Sequence, residues 1–110
     1  MNEIHSFLKS EIQKHHIILF MKGSAQFPQC GFSQQAVQIL QHLEVNFHTI
    51  NVLENDDIRE GIKSYSQWPT IPQLYINQEF IGGCDIMKEM FVSGELQQVI
   101  TQNATDEENT

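Results

Sequence analysis

The chain has 110 residues, of which 40% are hydrophobic, enough for one small domain with its own core. Its 14 acidic and 6 basic residues give a formal net charge of −8, which argues against nucleic acid as a partner because phosphate binding needs basic patches. No apolar run approaches the length of a membrane span, and the first residues do not resemble a secretory signal. We therefore expect no contact with membrane or nucleic acid, and because two cysteines do not make a disulfide scaffold, we expect a cytoplasmic protein.

Hydrophobic periodicity predicts the elements of the first half of the chain. Apolar residues at helical spacing predict a helix over residues 3–14, and the continuous apolar run 17–21 predicts a buried, central strand. A long loop leads to Cys30, and the pattern then predicts a helix over 34–43, a strand over 45–52 and a helix over 56–65. The two strands joined by a helix are expected to be parallel with a right-handed crossover.

The second half predicts a hairpin followed by helices. Two prolines exclude a helix over residues 68–72, and two short strands over 73–76 and 79–81 flank an Asn77-Gln78 turn. Helices are predicted over 85–91 and 93–101, with Ser93 as a candidate cap of the second. The fold class is therefore α/β, with a four-stranded mixed sheet flanked by helices over residues 1–102 and a disordered acidic tail over 103–110.

Cys30 lies in the sequence Cys30-Gly31-Phe32-Ser33, between the first strand and the next helix. Unpaired N–H groups and the helix dipole at a helix N-terminus favour a thiolate, the form that attacks sulfur or binds metal. The pattern resembles Cys-x-x-Cys with Ser33 at the second position, so Cys30 has no resolving partner within the motif. The alternative is an inert cysteine buried in the core, although a position before a helix favours exposure.

Four separated motifs resemble one family in their order and spacing. They are Lys22-Gly23, Cys30-Gly31-Phe32-Ser33, Trp68-Pro69-Thr70-Ile71-Pro72-Gln73-Leu74 and Gly82-Gly83-Cys84-Asp85. Together they resemble the monothiol glutaredoxins of the CGFS type, in their short single-domain bacterial form. The resemblance implies a thioredoxin fold, glutathione binding, and a homodimer bridged by one 2Fe-2S cluster. It also implies a role in iron–sulfur cluster assembly, storage or transfer, with a BolA-type protein and apo iron–sulfur acceptors as partners.

The resemblance implies roles for residues near the first strand and the third helix. Cys30 from each of two chains, with two glutathione thiols, would supply the four terminal ligands of the cluster. Lys22 would favour the thiolate and pair with a glutathione carboxylate, and Arg59 would be the second base that binds a carboxylate. The alternatives are a solvated lysine and a surface arginine.

Two further positions are implied by the same resemblance. A cis Ile71-Pro72 bond would let the backbone of Ile71 pair with the cysteinyl part of glutathione, whereas a trans bond is the ordinary alternative. The helix start at Cys84 and Asp85 would hold the γ-glutamyl end, or Asp85 would simply cap the helix. The Cys84 thiol is expected to be quiet, and a reversible disulfide with Cys30 is left open.

Other side chains are expected to have structural roles, and two other functions compete with cluster carriage. Trp68 is expected in the core, and the five histidines are expected to be solvated or core residues rather than metal ligands. The first competing function is a glutathione-dependent thiol oxidoreductase that removes glutathione from proteins through Cys30, with slow turnover expected. The second is an adaptor that binds a partner through a bridging cluster.

Overall fold

The computed structural model describes the backbone of residues 3–108 and the side chains as far as Thr101. In chain order the elements are α1 (Glu3–Lys14), β1 (Ile17–Met21), α2 (Gly31–His42), β2 (His48–Asn51), a 3-10 turn (Val52–Glu54), α3 (Asp56–Ser66), β3 (Gln73–Ile76), β4 (Glu79–Gly82), α4 (Cys84–Ser93) and α5 (Glu95–Glu108). The order of helices and strands predicted from hydrophobic periodicity is therefore confirmed.

The four strands form one mixed sheet in the order β2-β1-β3-β4. β1 is parallel to β2 and antiparallel to β3, and β3 is antiparallel to β4. All five residues of β1 are buried, which agrees with the central position predicted from its continuous apolar run. The mixed four-stranded sheet flanked by helices is thus confirmed.

Side chains of β1 alternate between two hydrophobic cores, one on each face of the sheet. Leu19 and Met21 pack into the first core, together with residues of α2, α4 and α5. Ile18 and Phe20 pack into the second core, together with residues of α1 and α3. The sheet is therefore covered by helices on both faces.

The hairpin turn and the second strand show how local chemistry defines the element ends. Asn77 and Gln78 both have positive φ, 50° and 72°, as a type I′ hairpin turn requires. β2 begins three residues later than the predicted strand and ends one residue earlier, at Asn51, whose side chain accepts a hydrogen bond from Leu53 N–H as the chain enters the 3-10 turn. Local hydrogen bonding, rather than β propensity, thus ends this strand.

The last two helices meet at Gly94, whose φ of +85° breaks the helical path. Ser93 Oγ accepts a 3.2 Å hydrogen bond from Glu95 N–H, so it caps α5 as predicted. α5 continues to Glu108, past its predicted end at Thr101. Residues 109 and 110 of the predicted tail lie outside the described residues, and the division into a domain over 1–102 and a disordered tail over 103–110 stays a prediction.

Within residues 3–108, no helix combines the length and the apolar character that crossing a bilayer requires.

Candidate functional site

One groove, with a volume of about 640 Å³, brings together the six residues predicted for the site. They come from the end of β1, the start of α2, α3, the segment 68–72 and the start of α4, and they are Lys22, Cys30, Arg59, Ile71, Cys84 and Asp85. We call this concavity the Cys30 groove. It lies beyond the carboxyl end of β1, where open α/β sheets place their ligands.

Cys30 is the N-cap residue of α2 and has extended backbone angles, with φ of −153°. Its partial burial raises the pKa of the thiol, but hydrogen bonds from the backbone N–H groups of Ser33 and Phe32 and the positive charge of Lys22 outweigh that effect. The net pKa of Cys30 is lower than that of an ordinary cysteine. The thiol is therefore partly exposed and inclined to ionise, as its position before a helix predicted.

Ser33, the residue that stands where a resolving cysteine would be, is fully buried. Its Oγ accepts a 3.0 Å hydrogen bond from the backbone N–H of Lys22. The hydroxyl therefore ties the start of α2 to the end of β1, and its hydrogen bond to the Cys30 thiol also lowers the pKa of that thiol.

The loop between β1 and Cys30 is folded back on itself. Gln29 N–H donates to Lys22 O at 2.9 Å, and Ser24 N–H donates to Phe27 O at 3.3 Å. Gly23 has φ of +94°, and a Cβ there would lie only 2.5 Å from Phe27 O. This tight return needs glycine, and it brings Cys30 back beside Lys22 although the two are well separated in sequence.

Two cations of α3 also line the groove. Arg59 lies 3.4 Å from Asp56 and 3.7 Å from Glu60, and its Nε is a buried donor without a hydrogen-bond partner among the described residues. Lys63, which pairs with Glu60 at 3.1 Å, was not predicted as a site residue. Its spacing of four residues from Arg59 was the available signal, because residues four apart share one helix face.

The segment before β3 forms the opposite wall, and its Ile71-Pro72 peptide bond is cis, as predicted. Gln73 is fully buried, and its Nε2 donates to the carbonyl oxygens of Trp68 and Thr70, at 3.1 Å each. The wall is therefore held by hydrogen bonds to one buried side chain from the strand that follows it.

Trp68 does not lie in the core, so that prediction was wrong. Its side chain lines the groove and is 38% exposed, and its ring centroid lies 5.8 Å from that of Phe80. The ring covers one end of the wall instead of filling the interior, because the core on that face is already occupied by side chains of α1, α3 and the strands.

The start of α4 closes the groove. Its N-cap is Gly83, which has no side chain to bond the first-turn N–H groups, and a Cβ there would lie 3.3 Å from Pro72 O. Asp85 is exposed in the first turn. Backbone donors and a carboxylate therefore face a common space, which suits a ligand group that carries both charges.

Cys84 is a quiet thiol, as expected. It is only 6% exposed, and its Sγ donates to Gln35 Oε1 at 3.3 Å. Burial, with a smaller contribution from Asp85, raises the pKa of Cys84 above the usual thiol value. Both cysteines are free, so no disulfide joins Cys84 to Cys30 in this structure.

Comparisons with known proteins agree with this geometry. The family described as Glutaredoxin matches residues 17–81. The "Uncharacterized monothiol glutaredoxin ycf64" of Porphyra purpurea is 53% identical over 95 residues, which cover 86% of this chain and 89% of the relative. The "Monothiol glutaredoxin-S7, chloroplastic" of Oryza sativa is 52% identical over 98 residues, or 89% of this chain and 58% of the relative. The chain thus spans little more than half the length of the plant relatives it matches.

A solved structure is similar to this chain in both sequence and fold. The solution structure of reduced poplar apo GrxS14 superposes with a TM-score of 0.80 at 51% sequence identity, and the match covers 91% of this chain and 92% of that one. The sheet order and the helices therefore form a thioredoxin fold. The chain belongs to the glutaredoxin family, in its monothiol branch.

Proposed function

We propose that this chain is a carrier of iron–sulfur clusters that binds glutathione and holds one 2Fe-2S cluster between two copies of itself. In this proposal, the cluster is the cargo, and Cys30 of each copy supplies one terminal thiolate ligand. Two glutathione thiols complete the four ligands that such a cluster needs.

The observation that carries the proposal is the contrast between the two thiols. Cys30 is partly exposed and has a lowered pKa, whereas Cys84 is buried, bonded to Gln35 and has a raised pKa. Because Ser33 is a serine and cannot form a disulfide, no neighbouring thiol of this motif competes for Cys30. Two chains with one reactive thiol each supply two of the four terminal ligands. An external thiol must supply the other two.

The charges of the Cys30 groove support glutathione as that external thiol. Glutathione is a small peptide with two carboxylates and one amine, and Lys22, Arg59 and Lys63 are cations along the groove. We assign its glycine carboxylate to Lys22 and Arg59, and its cysteinyl backbone to the backbone of Ile71. The start of α4, with Cys84 N–H and the Asp85 carboxylate, would take the γ-glutamyl end.

The partners follow from the same proposal. Because glutathione is not covalently attached, its departure would release the cluster to apo acceptor proteins. A BolA-type protein is a proposed partner of the cluster-bound form, and the cytoplasm is the proposed location, although the rice relative is named chloroplastic.

The direct test is anaerobic reconstitution of the full chain with iron, sulfide and glutathione. We expect a coloured dimer in visible absorption and analytical ultracentrifugation, and a colourless monomer for Cys30→Ser. Cys84→Ser is the matched control, since it removes the other thiol and should keep both colour and dimer. A coloured dimer formed by Cys30→Ser would contradict the proposal. So would a folded Cys84→Ser that stays colourless after reconstitution.

The groove assignment has its own test. Arg59→Gln removes a charge-assisted contact, of about 1.5–3 kcal/mol in general, and because Arg59 is partly exposed we expect the lower end, a roughly tenfold weaker affinity for glutathione. Lys9→Gln, on the exposed surface of α1, is the control for loss of a positive charge and should bind glutathione as the unmodified chain does. Equal affinity of all three proteins in calorimetry would refute the assignment.

The lowered pKa of Cys30 favours a second function, glutathione-dependent thiol–disulfide exchange. In the first step, the Cys30 thiolate would attack the glutathione sulfur of a glutathionylated protein, which leaves glutathione on Cys30 and releases the protein thiolate. In the second step, the thiolate of another glutathione would attack that disulfide, release the Cys30 thiolate and leave as oxidised glutathione. Fast turnover of a small glutathionylated substrate without iron would favour this enzyme over the carrier. We expect turnover to be slow.

A further inference from the structure

Glu11, His15 and His48 form a cluster away from the Cys30 groove, and we call it the Glu-His-His cluster. One ligand-type atom of each residue lies within 4.8 Å of those of the other two. Glu11 lies in the last turn of α1, His15 follows that helix, and His48 is the first residue of the edge strand β2. Only folding brings His48 to the other two.

The three side chains face one another without being bonded. The Nε2 atoms of His15 and His48 each lie 4.0 Å from the same Glu11 oxygen, Oε1, which exceeds hydrogen-bond length. The two imidazole rings are stacked, with centroids 3.8 Å apart and planes 7° from parallel. Both rings therefore present a nitrogen to one carboxylate oxygen.

Lys14 orients the carboxylate of this cluster. Its Nζ donates to Glu11 Oε2 at 2.8 Å, so the second oxygen, Oε1, is left toward the histidines. A partner that holds one oxygen of a carboxylate in this way is what metal ligands commonly have in their surroundings. The same ammonium adds a positive charge nearby, which limits the affinity for a cation.

We propose that the Glu-His-His cluster is a binding site for a divalent transition-metal ion, best suited to Zn²⁺. Two imidazole nitrogens and one carboxylate oxygen are a donor set that zinc accepts, with water in the fourth position. The site is independent of the proposed cluster carriage, because it shares no residue with the Cys30 groove.

The distances require a small closure. At metal–ligand bonds of about 2.0–2.1 Å, tetrahedral ligand atoms lie roughly 3.4 Å apart, so the present gaps must shorten by about 1 Å or less in the Glu–His pairs. Side-chain rotation can supply this movement, because the side chains of His15 and His48 are 31% and 42% exposed. The bound ion would then join α1, the α1–β1 connection and the edge strand β2.

This joining predicts a stability effect as well as binding. An ion that binds only the folded chain raises the melting temperature by mass action. We expect zinc to raise the melting temperature of the Cys30→Ser full chain, in which the reactive thiol cannot bind metal, in buffer without glutathione or chelator.

The experiment is calorimetric titration of ZnCl₂ into Cys30→Ser, alone and combined with His15→Gln, His48→Gln or Glu11→Gln. We expect one zinc ion per chain, with affinity reduced about tenfold or more by each added change. Backbone amide shifts in an NMR titration should be confined to the last turn of α1, the α1–β1 connection and the start of β2. His42→Gln is the matched control, since that exposed imidazole packs on Phe91 instead, and it should leave zinc affinity unchanged.

Two outcomes overturn the proposal. The first is that Cys30→Ser binds no zinc when free Zn²⁺ reaches the millimolar range, and that its melting temperature does not change. The second is that folded His15→Gln and His48→Gln, checked by circular dichroism, bind zinc as tightly as the His42→Gln control.

Discussion

Ser33 Oγ accepts a 3.0 Å hydrogen bond from the backbone N–H of Lys22. Ser33 stands where a resolving cysteine would be in a Cys-x-x-Cys motif, and here its side chain joins two sides of the site. The hydroxyl is fully buried, and the bond links the start of α2 to the end of β1. It thereby holds Lys22 and Cys30 in one relative position, which the electrostatics of the thiolate depend on.

Loss of that bond should lower stability. Ser33→Ala leaves the part-buried Lys22 N–H without its acceptor, which costs roughly 1 kcal/mol of unfolding free energy. Chemical denaturation measures the change. Ser24→Ala is the control, because Ser24 also accepts a backbone N–H, from Phe27, but at an exposed site. An effect of Ser33→Ala no larger than that of Ser24→Ala would contradict this account.

The thiolate of Cys30 should persist below the pH at which ordinary thiols are protonated. Its pKa is lower in the folded chain than in the unfolded chain, so ionisation stabilises the fold above the ordinary thiol pKa, and this contribution is lost as pH falls through the lowered pKa. A titration that follows the ultraviolet absorbance of the thiolate should show one transition at lower pH than an ordinary thiol, assigned to Cys30; we call it the early transition.

Cys84, with its raised pKa, should resist alkylation by iodoacetamide until the chain unfolds.

Lys22 supplies one of the causes of the lowered pKa of Cys30. Lys22→Gln should move the early transition toward higher pH, and high salt should move it the same way in the unmodified chain because it screens the ammonium. Lys9→Gln serves as the control and should leave the transition in place. A transition that is equally early in Lys22→Gln would mean that the hydrogen bonds from Ser33 and Phe32 hold the thiolate without help from the ammonium.

Gln73 should matter for both stability and the groove. Gln73→Leu removes the donor shared by Trp68 O and Thr70 O, and we expect a loss of about 2 kcal/mol of unfolding free energy together with weaker glutathione binding. Gln97→Leu, on the exposed face of α5, is the matched control. Unchanged glutathione affinity in a folded Gln73→Leu would show that the wall holds its shape without these bonds.

Two glycines near Cys30 should respond differently to the same substitution. Gly23→Ala places a methyl group 2.5 Å from Phe27 O at a φ of +94°, so we expect a loss of roughly 2 kcal/mol or more. Gly31→Ala meets nothing within 4 Å at the start of α2, so its unfolding free energy should be unchanged or slightly higher. Similar denaturation midpoints for the two variants would contradict the steric argument.

Much of the fold was predictable because each strand and helix has a strong local pattern. The apolar run of β1 predicted its central position, and the two prolines of segment 68–72 predicted a non-helical wall. The start of α2 was predicted less well, because its first turn reverses the usual pattern: Phe32 is exposed and Ser33 is buried.

The site was predicted unevenly for a similar reason. Cys30 and Asp85 stand at helix starts, which a sequence reveals, but Lys63 reaches the groove only because α3 turns that face toward it. Trp68 was expected in the core, since a large aromatic side chain favours burial, and only the packing of neighbouring side chains shows that it lies at the groove.

The sequence by itself determined the order of elements, the place of the reactive thiol before a helix and the absence of a resolving cysteine in the motif, because each depends on residues close together in the chain. The tertiary structure alone decided that Lys63 and Trp68 line the groove, and that His48 meets Glu11 and His15. These are contacts between distant segments, and burial and charge proximity, which set both pKa values and ligand geometry, exist only once those segments have packed.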